Sequence, residues 1–195
     1  MNGIDVSHHQ GQIEWAQVRD SGIAFAFIKA TEGLSYTDPL FAKNWAAARH
    51  VGIRRGAYHF FRPQLDPVRQ AQHFLAVIGH DHSELPPVLD VEVLDGVAPQ
   101  EVITRTQQCM NVLTEKLTVA PILYTSAYFW RDTLGNSPAF SNHPLWIAHY
   151  THALSPRVPS AWATWTFWQH SQEGRVHGIA GNVDLNRCNE KVMLS

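Results

Sequence analysis

The sequence predicts an α/β fold: a parallel sheet with crossover helices, closed into a barrel in the TIM manner, whose last units lack full helices. Three observations predict it. Eight apolar runs of strand length, rich in β-branched and aromatic residues, recur along the chain. Helical segments separate the earlier runs, and strands alternating with helices are the pattern of a parallel sheet. The chain has 195 residues, fewer than the about 250 typical of a complete barrel, so the final units have little room for helices. No linker, repeat or low-complexity segment divides residues 1–195, which read as a single domain.

In chain order, Gly3 to Ser7 alternates as a short strand, with Ile4 and Val6 facing one layer and Gly3, Asp5 and Ser7 the other. A short helix over Glu14 to Asp20 stops at Ser21-Gly22. Ile23 to Thr31 is the second strand, with Phe25, Phe27 and Lys29 on a common face. An inward lysine at a strand end either pairs with a carboxylate or reaches past the strand to water. Asp38-Pro39 signals a helix start, with Asp as cap and Pro at the first helical position. That helix buries Phe41, Trp45 and Ala48 and stops at Gly52.

Arg54 to Phe61 is the third strand, and Asp66-Pro67 repeats the start signal for a helix that ends at Gly79. Leu85 to Val93 follows as a buried strand with Val88, Asp90 and Glu92 on one face. Pro99 opens a long helix whose apolar positions include Val102, Ile103, Cys109, Leu113 and Leu117. Pro121 to Ser126 is a strand, with a short helix over Tyr128 to Thr133 behind it. Leu145 to Tyr150, Thr164 to His170 and Val176 to Leu185 read as strands or turns between Pro- and Gly-bearing loops.

Composition narrows the function classes. At 45% hydrophobic and 16% charged residues the chain is a folded globular protein. A formal charge of −2 gives no electrostatic case for nucleic acid or an anionic membrane. No apolar run approaches a membrane span. Met1 is followed almost at once by the first strand, so no signal peptide is read. A monomer is expected. Cys109 and Cys188 make at most one bridge, and Cys109 sits on an apolar helix face as a core residue would.

In a parallel barrel the working side chains stand at the C-terminal strand ends. Asp5, Asp90, Glu92 and Asp184 fit that place, and closure would bring the first and last strands, with Asp5 and Asp184, side by side. Two acids on one face of a buried strand each resist leaving water and repel each other, which raises and separates their pKa values, as general acid chemistry requires. Tyr58, Tyr124, Trp146, Tyr150 and Trp168 fall on or near the same strand ends and, with Lys29, make the expected substrate lining. Carboxylates among flat aromatic surfaces suit a sugar, although any one of these rings has ordinary core packing as its simpler role.

Twelve histidines raise a metal alternative, densest at His8-His9 and His80-Asp81-His82. No zinc motif of recognised spacing supports it. No serine elbow, phosphate loop or dinucleotide fingerprint occurs either. No metal or cofactor is expected.

Gly3-Ile4-Asp5-Val6-Ser7-His8-His9-Gln10-Gly11 closely resembles the opening motif of the glycoside hydrolase family 25 lysozymes, the Chalaropsis-type muramidases. Ile28 to Gly33, Gly56-Ala57-Tyr58-His59-Phe60, Asp90-Val91-Glu92 and Val183-Asp184-Leu185-Asn186 match later motifs in order, so the resemblance spans nearly the whole chain. It implies a flattened, incomplete barrel of about (β/α)5(β)3 form that hydrolyses the β-1,4 bond between N-acetylmuramic acid and N-acetylglucosamine. By position it makes Glu92 the general acid/base and Asp90 an ionised partner, either nucleophile or orienter of the substrate N-acetyl group. Asp5 and Asp184 become flanking acids, the partner is bacterial peptidoglycan, and the site of action is the cell wall. Two rivals stay open: a non-catalytic peptidoglycan-binding module, and a chitinase-like glycosidase. Against the second, Leu85 and Val88 stand where the Asp-x-x-Asp-x-Asp-x-Glu pattern needs acids.

Overall fold

The computed structural model describes residues 1–79, 83–117 and 119–189. The strands are β1 (Asn2–Val6), β2 (Ile23–Glu32), β3 (Tyr36–Thr37), β4 (Arg54–Phe60), β5 (Val88–Asp90), β6 (Ile122–Ser126), β7 (Leu145–Ala148), β8 (Phe167–Gly174) and β9 (Val183–Cys188). The helices are α1 (Trp15–Asp20), α2 (Phe41–His50), α3 (Pro67–Ile78) and α4 (Pro99–Lys116), with a π-helical turn at Phe129–Thr133. Sheet order is β1-β9-β8-β7-β6-β5-β4-β2-β3, and a β1–β2 pairing closes eight strands into a barrel, leaving β3 as a flap on β2. Five units carry a helical element and the last three strands carry none, as the chain length predicts. Among the described residues no helix is long and apolar enough to cross a membrane.

Side-chain alternation sorts the core into two layers. Phe25, Phe27, Val88, Ile122, Tyr124, Trp146, Phe167 and Cys188 fill the barrel interior. Ile4, Val6, Ala26, Ile28, Leu89, Leu123 and Ile147 face outward beneath the helices, where Trp45, Phe74, Val102 and Met110 cover them. Cys109 lies in the outer layer and Cys188 in the inner one, both buried, and no disulfide joins them.

The structure revises four expectations. The last strand runs antiparallel to both neighbours. Residues 175–182 between β8 and β9 are too few for a parallel crossover, which needs about a dozen or more. They form a turn instead, held where Gly178 O accepts from Glu14 N at 2.9 Å. The strand expected from Val176 therefore begins only at Val183. The strand expected over Leu85 to Val93 is also shortened to Val88–Asp90, because Pro86 and Pro87 offer no ladder donors at its start. Finally, the N-cap of α2 is Leu40 and not Asp38; Asp38 Oδ1 still accepts from Leu40 N at 3.0 Å, while its Oδ2 turns back to the His8 backbone and ring. The Asp66 cap and N-terminal Pro67 of α3 are as read.

Glycine makes the interior possible where large rings cross it. A Cβ on Gly56 would lie 2.6 Å from the Phe27 ring and 3.2 Å from Leu85 Cβ. Gly56→Ala should therefore cost about 1–3 kcal/mol by overpacking, read as a lower denaturation midpoint with unchanged slope.

Candidate functional site

The β1–β9 register places Asp5 directly opposite Asp184. Because β9 is antiparallel, Asp184 reaches the mouth from the beginning of its strand, not from the end that the sequence reading supposed. Gln169, inward on β8, ties the pair together. Its amide nitrogen donates to Asp5 Oδ2 at 2.9 Å and to Asp184 Oδ2 at 3.2 Å. Its oxygen accepts from the Tyr124 hydroxyl at 2.9 Å and from the Tyr150 hydroxyl at 2.8 Å. Asn186 adds a second donor to Asp5 Oδ2 at 2.7 Å while accepting from Trp146 Nε1 at 2.8 Å. Only the amide nitrogens can donate and the carboxylates accept, so the orientation of both amides is fixed.

Burial, and then the charge of Asp184, push the Asp5 carboxyl well above the usual carboxylate range, against the two amide hydrogen bonds. Asp184 is raised by burial and lowered by its hydrogen bond with Asp5.

Asp90 ends β5 in register with Phe60 and Tyr124, and is 5% exposed with Oδ1 lacking a protein partner. Glu92 lies just past the strand, on the solvent side. Burial raises Asp90 well above its ordinary value, the Glu92 charge adds to this, and Lys29 opposes it. Glu92 is raised by burial against Lys29, with Asp184 adding to the rise. Burial acts on both carboxyls, more completely on Asp90 than on Glu92.

Lys29 is inward and buried, and it does find a carboxylate: Nζ lies 2.7 Å from Glu32 Oε2. Arg62 grips the other Glu32 oxygen at 2.7 Å and reaches Asp95 Oδ1 at 3.1 Å. Burial works to raise Glu32, but the bonds from Lys29 and Arg62 prevail and hold it low. The mouth thus carries a fixed negative group beside carboxyls that resist ionising.

The aromatic lining divides. Tyr58, Tyr124 and Tyr150 face the acids, whose charges join burial in raising their phenol pKa values. Trp146 lies beneath them, stacked on Phe27 at 4.3 Å and packed edge-on to Tyr124 at 4.5 Å, so it is a floor and not a contact surface. Trp168 does not reach the mouth. Strand alternation puts it on the outer face, where Nε1 donates to His149 O at 2.8 Å, and gives the inward place to Gln169.

Sequence reasoning missed Gln169, Arg62 and the role of Glu32. The parity of β8 was the available signal for Gln169, and Asn186 could have been read as the same-face neighbour of Asp184. His8 is engaged by Asp38 at 2.8 Å and by the Tyr36 hydroxyl at 3.1 Å. Among the described residues no group of three or more His, Cys, Asp or Glu side chains could hold a metal. His80-Asp81-His82 lies outside the described residues.

Comparison with known proteins agrees with this geometry. The profile for "Glycosyl hydrolases family 25" matches residues 4–179. The chain belongs to glycosyl hydrolase family 25. "Lysozyme M1" of Streptomyces globisporus is 39% identical over 200 residues, spanning 97% of this chain and 68% of that one. "N,O-diacetylmuramidase" of Chalaropsis sp is 30% identical over 202 residues, spanning 94% and 96%. The crystal structure of the bacterial lysozyme from Streptomyces coelicolor superposes with a TM-score of 0.91 at 39% identity, covering 97% of this chain and 92% of that one. In this family 25 chain the motif residue His59 faces away from the cleft. It is buried and pushed down to about 4 by that burial, and it bonds Thr31 Oγ1 at 2.7 Å and Gln70 Oε1 at 3.2 Å. Gln70 in turn accepts from Arg62 N at 2.8 Å, so His59 serves the loop that carries Arg62.

A carboxyl that holds its proton more tightly folded than unfolded lends stability at low pH and withdraws it as pH rises through the folded pKa. For Asp5 the decline begins near the ordinary carboxylate value of about 4. Asp5→Asn should keep the amide-like bonds and flatten that decline, leaving the variant as stable as or more stable than the parent at neutral pH. Thermal melts across about pH 4 to 8 check this; an unchanged slope would show that Asp5 ionises freely.

Proposed function

We propose that this family 25 glycoside hydrolase is a peptidoglycan hydrolase that cleaves the β-1,4 bond between N-acetylmuramic acid and N-acetylglucosamine. The observation that carries the reading is the Asp90/Glu92 dyad. Two carboxyls, both raised by burial, share the end of β5 under one lysine, in a mouth lined by tyrosine hydroxyls and a second acid pair. The lysozyme and muramidase names of its relatives supply the substrate class. Cleavage of that bond takes place on peptidoglycan, outside the cytoplasm.

Glu92 is the proton donor. It is the more exposed carboxyl of its dyad, and a sugar seated against it removes water and raises its pKa further. As the C1–O bond breaks, Glu92 gives its proton to the leaving oxygen, and Asp90, ionised, opposes the positive charge growing at C1. The same Glu92 then takes a proton from the incoming water, giving retention. Asp90 fills its place either by bonding C1 itself or by orienting the substrate acetamido oxygen to do so. Its Oδ1, without a protein partner, is the atom free for either task. Lys29 moderates the pair, since its charge keeps the dyad from holding two protons. Asp5, Asp184 and Gln169 fix the tyrosine hydroxyl protons inward, so the Tyr124 and Tyr150 oxygens meet substrate as acceptors.

Glu92→Gln should lower turnover of bacterial walls by roughly 10²–10⁴-fold with the melting temperature retained; wild-type turnover would end the assignment. Mass analysis of new reducing ends should show N-acetylmuramic acid termini from peptidoglycan and little release from chitin. The reverse preference would favour a chitinase-like enzyme, and binding without new ends a non-catalytic module. Gln169→Leu removes a donor that holds Asp5 down, so the acidic limb of the pH–rate profile should move to higher pH. An unchanged profile would make Gln169 a packing residue only.

A further inference from the structure

The three strands that lack helices leave one flank of the barrel covered only by loops, and a cavity of about 560 Å³ opens there. It lies between the turn after β8, the end of α1 and the starts of β1 and β2, and its lining includes His170, Arg175, His177 and Arg187. Neither arginine has a carboxylate partner among the described residues. The acid that shares the lining, Asp20, is already engaged by Arg19 at 2.7 Å. Arg187 Cζ lies 5.5 Å from the Trp168 ring centroid, a cation–π contact against the barrel wall. Both arginines are exposed, and together they give one concavity of ligand size a local excess of positive charge in a chain of net charge −2.

We propose that this flank cavity is an accessory site for an oxyanion of the bacterial wall, a carboxylate or phosphate held by Arg175 and Arg187. Paired planar guanidinium groups match the two-oxygen edge of either anion. A second cavity, lined by Tyr150, Thr151, Gln172 and Glu173, has His170 in its wall as the first does, so the two cavities adjoin between Tyr150 and the arginines. The proposal rests on the wall being the substrate. It makes the flank a hold on the charged part of that wall, while the mouth takes the neutral sugars. Peptide stems supply carboxylates and wall-linked phosphodiester polymers supply phosphates.

The test compares Glu92→Gln protein, which should leave walls undigested, with the same protein carrying Arg175→Ala and Arg187→Ala. Binding is measured by co-sedimentation with three materials: intact walls, walls freed of phosphodiester polymers by hydrofluoric acid, and walls whose stem carboxylates are converted to neutral amides by carbodiimide coupling. Losing two charge-assisted contacts should weaken binding to intact walls by roughly tenfold or more. The difference should vanish on whichever treated wall has lost the anion, and that names the source. Equal binding by both proteins on intact walls would overturn the proposal. So would a difference that survives undiminished on both treated walls. Arg175→Ala alone, on an exposed loop, serves as a second variant if loss of the Arg187–Trp168 contact lowers stability. With Glu92 intact, hydrolysis of a soluble stem-free glycan should be unchanged by the arginine substitutions. An inactive parent in that assay would count against the hydrolase reading, while the sedimentation result still decides the flank site.

Discussion

The pairing of β1 with β9 is the constraint on which the molecule depends. It closes the barrel, and it sets Asp5 against Asp184. A parallel last strand would have needed a crossover that the chain does not have. Entering antiparallel, β9 presents its first residues at the mouth, and Asp184 arrives beside the first-strand acid by direct backbone register. Gln169 and Asn186 then become necessary, because two facing carboxyls in a buried seam must share a proton and have their remaining lone pairs met. The hydrogen bonds that Gln169 accepts from two tyrosines carry that order across to the β5 side of the cleft.

Burying acids costs stability, and the chain concentrates the cost in one place. Asp5, Asp90, Glu92 and Asp184 are all raised with burial the largest cause. Compensation differs between the two sides. On the β1–β9 side neutral amides satisfy the carboxyls, while on the β5 side a cation, Lys29, acts through space and is itself tied to Glu32. Asp90 is left with an oxygen that has no hydrogen-bond partner among the described residues. Such a defect survives where the missing partner belongs to a ligand.

Much of this was legible in the sequence. Strand alternation, helix starts at Asp66-Pro67 and Pro99, and a length too short for eight helices were enough for the barrel and its thinned last third. The strand-borne acids followed from the barrel rule. What the sequence hid was parity and direction. A frame one residue off on β8 exchanges Trp168 for Gln169, and nothing local marks which side chain faces inward when both neighbours are buried. Asp184 was placed at the mouth from a wrong strand direction. Asp38 looked like the cap because Asp-Pro is a good local signal; its Oδ1 does bond Leu40 N, but the helix begins at Phe41 and Oδ2 is taken by the distant His8. Sequence reading weighs local propensity, and these three positions were decided by partners far along the chain.

The raised carboxyls tie occupancy of the cleft to acidity. A neutral sugar that displaces water from Asp90, Glu92 and Asp184 raises their proton affinities again, so seating the glycan draws protons in from solution. Reciprocity then requires that protons draw the glycan in: affinity for an uncharged ligand rises as the medium becomes more acid through the range where these groups titrate. The empty cleft holds its protons least firmly just when it has nothing to bind. In this sense the same burial that burdens the fold gives the mouth a thermodynamic link between hydrogen-ion concentration and grip.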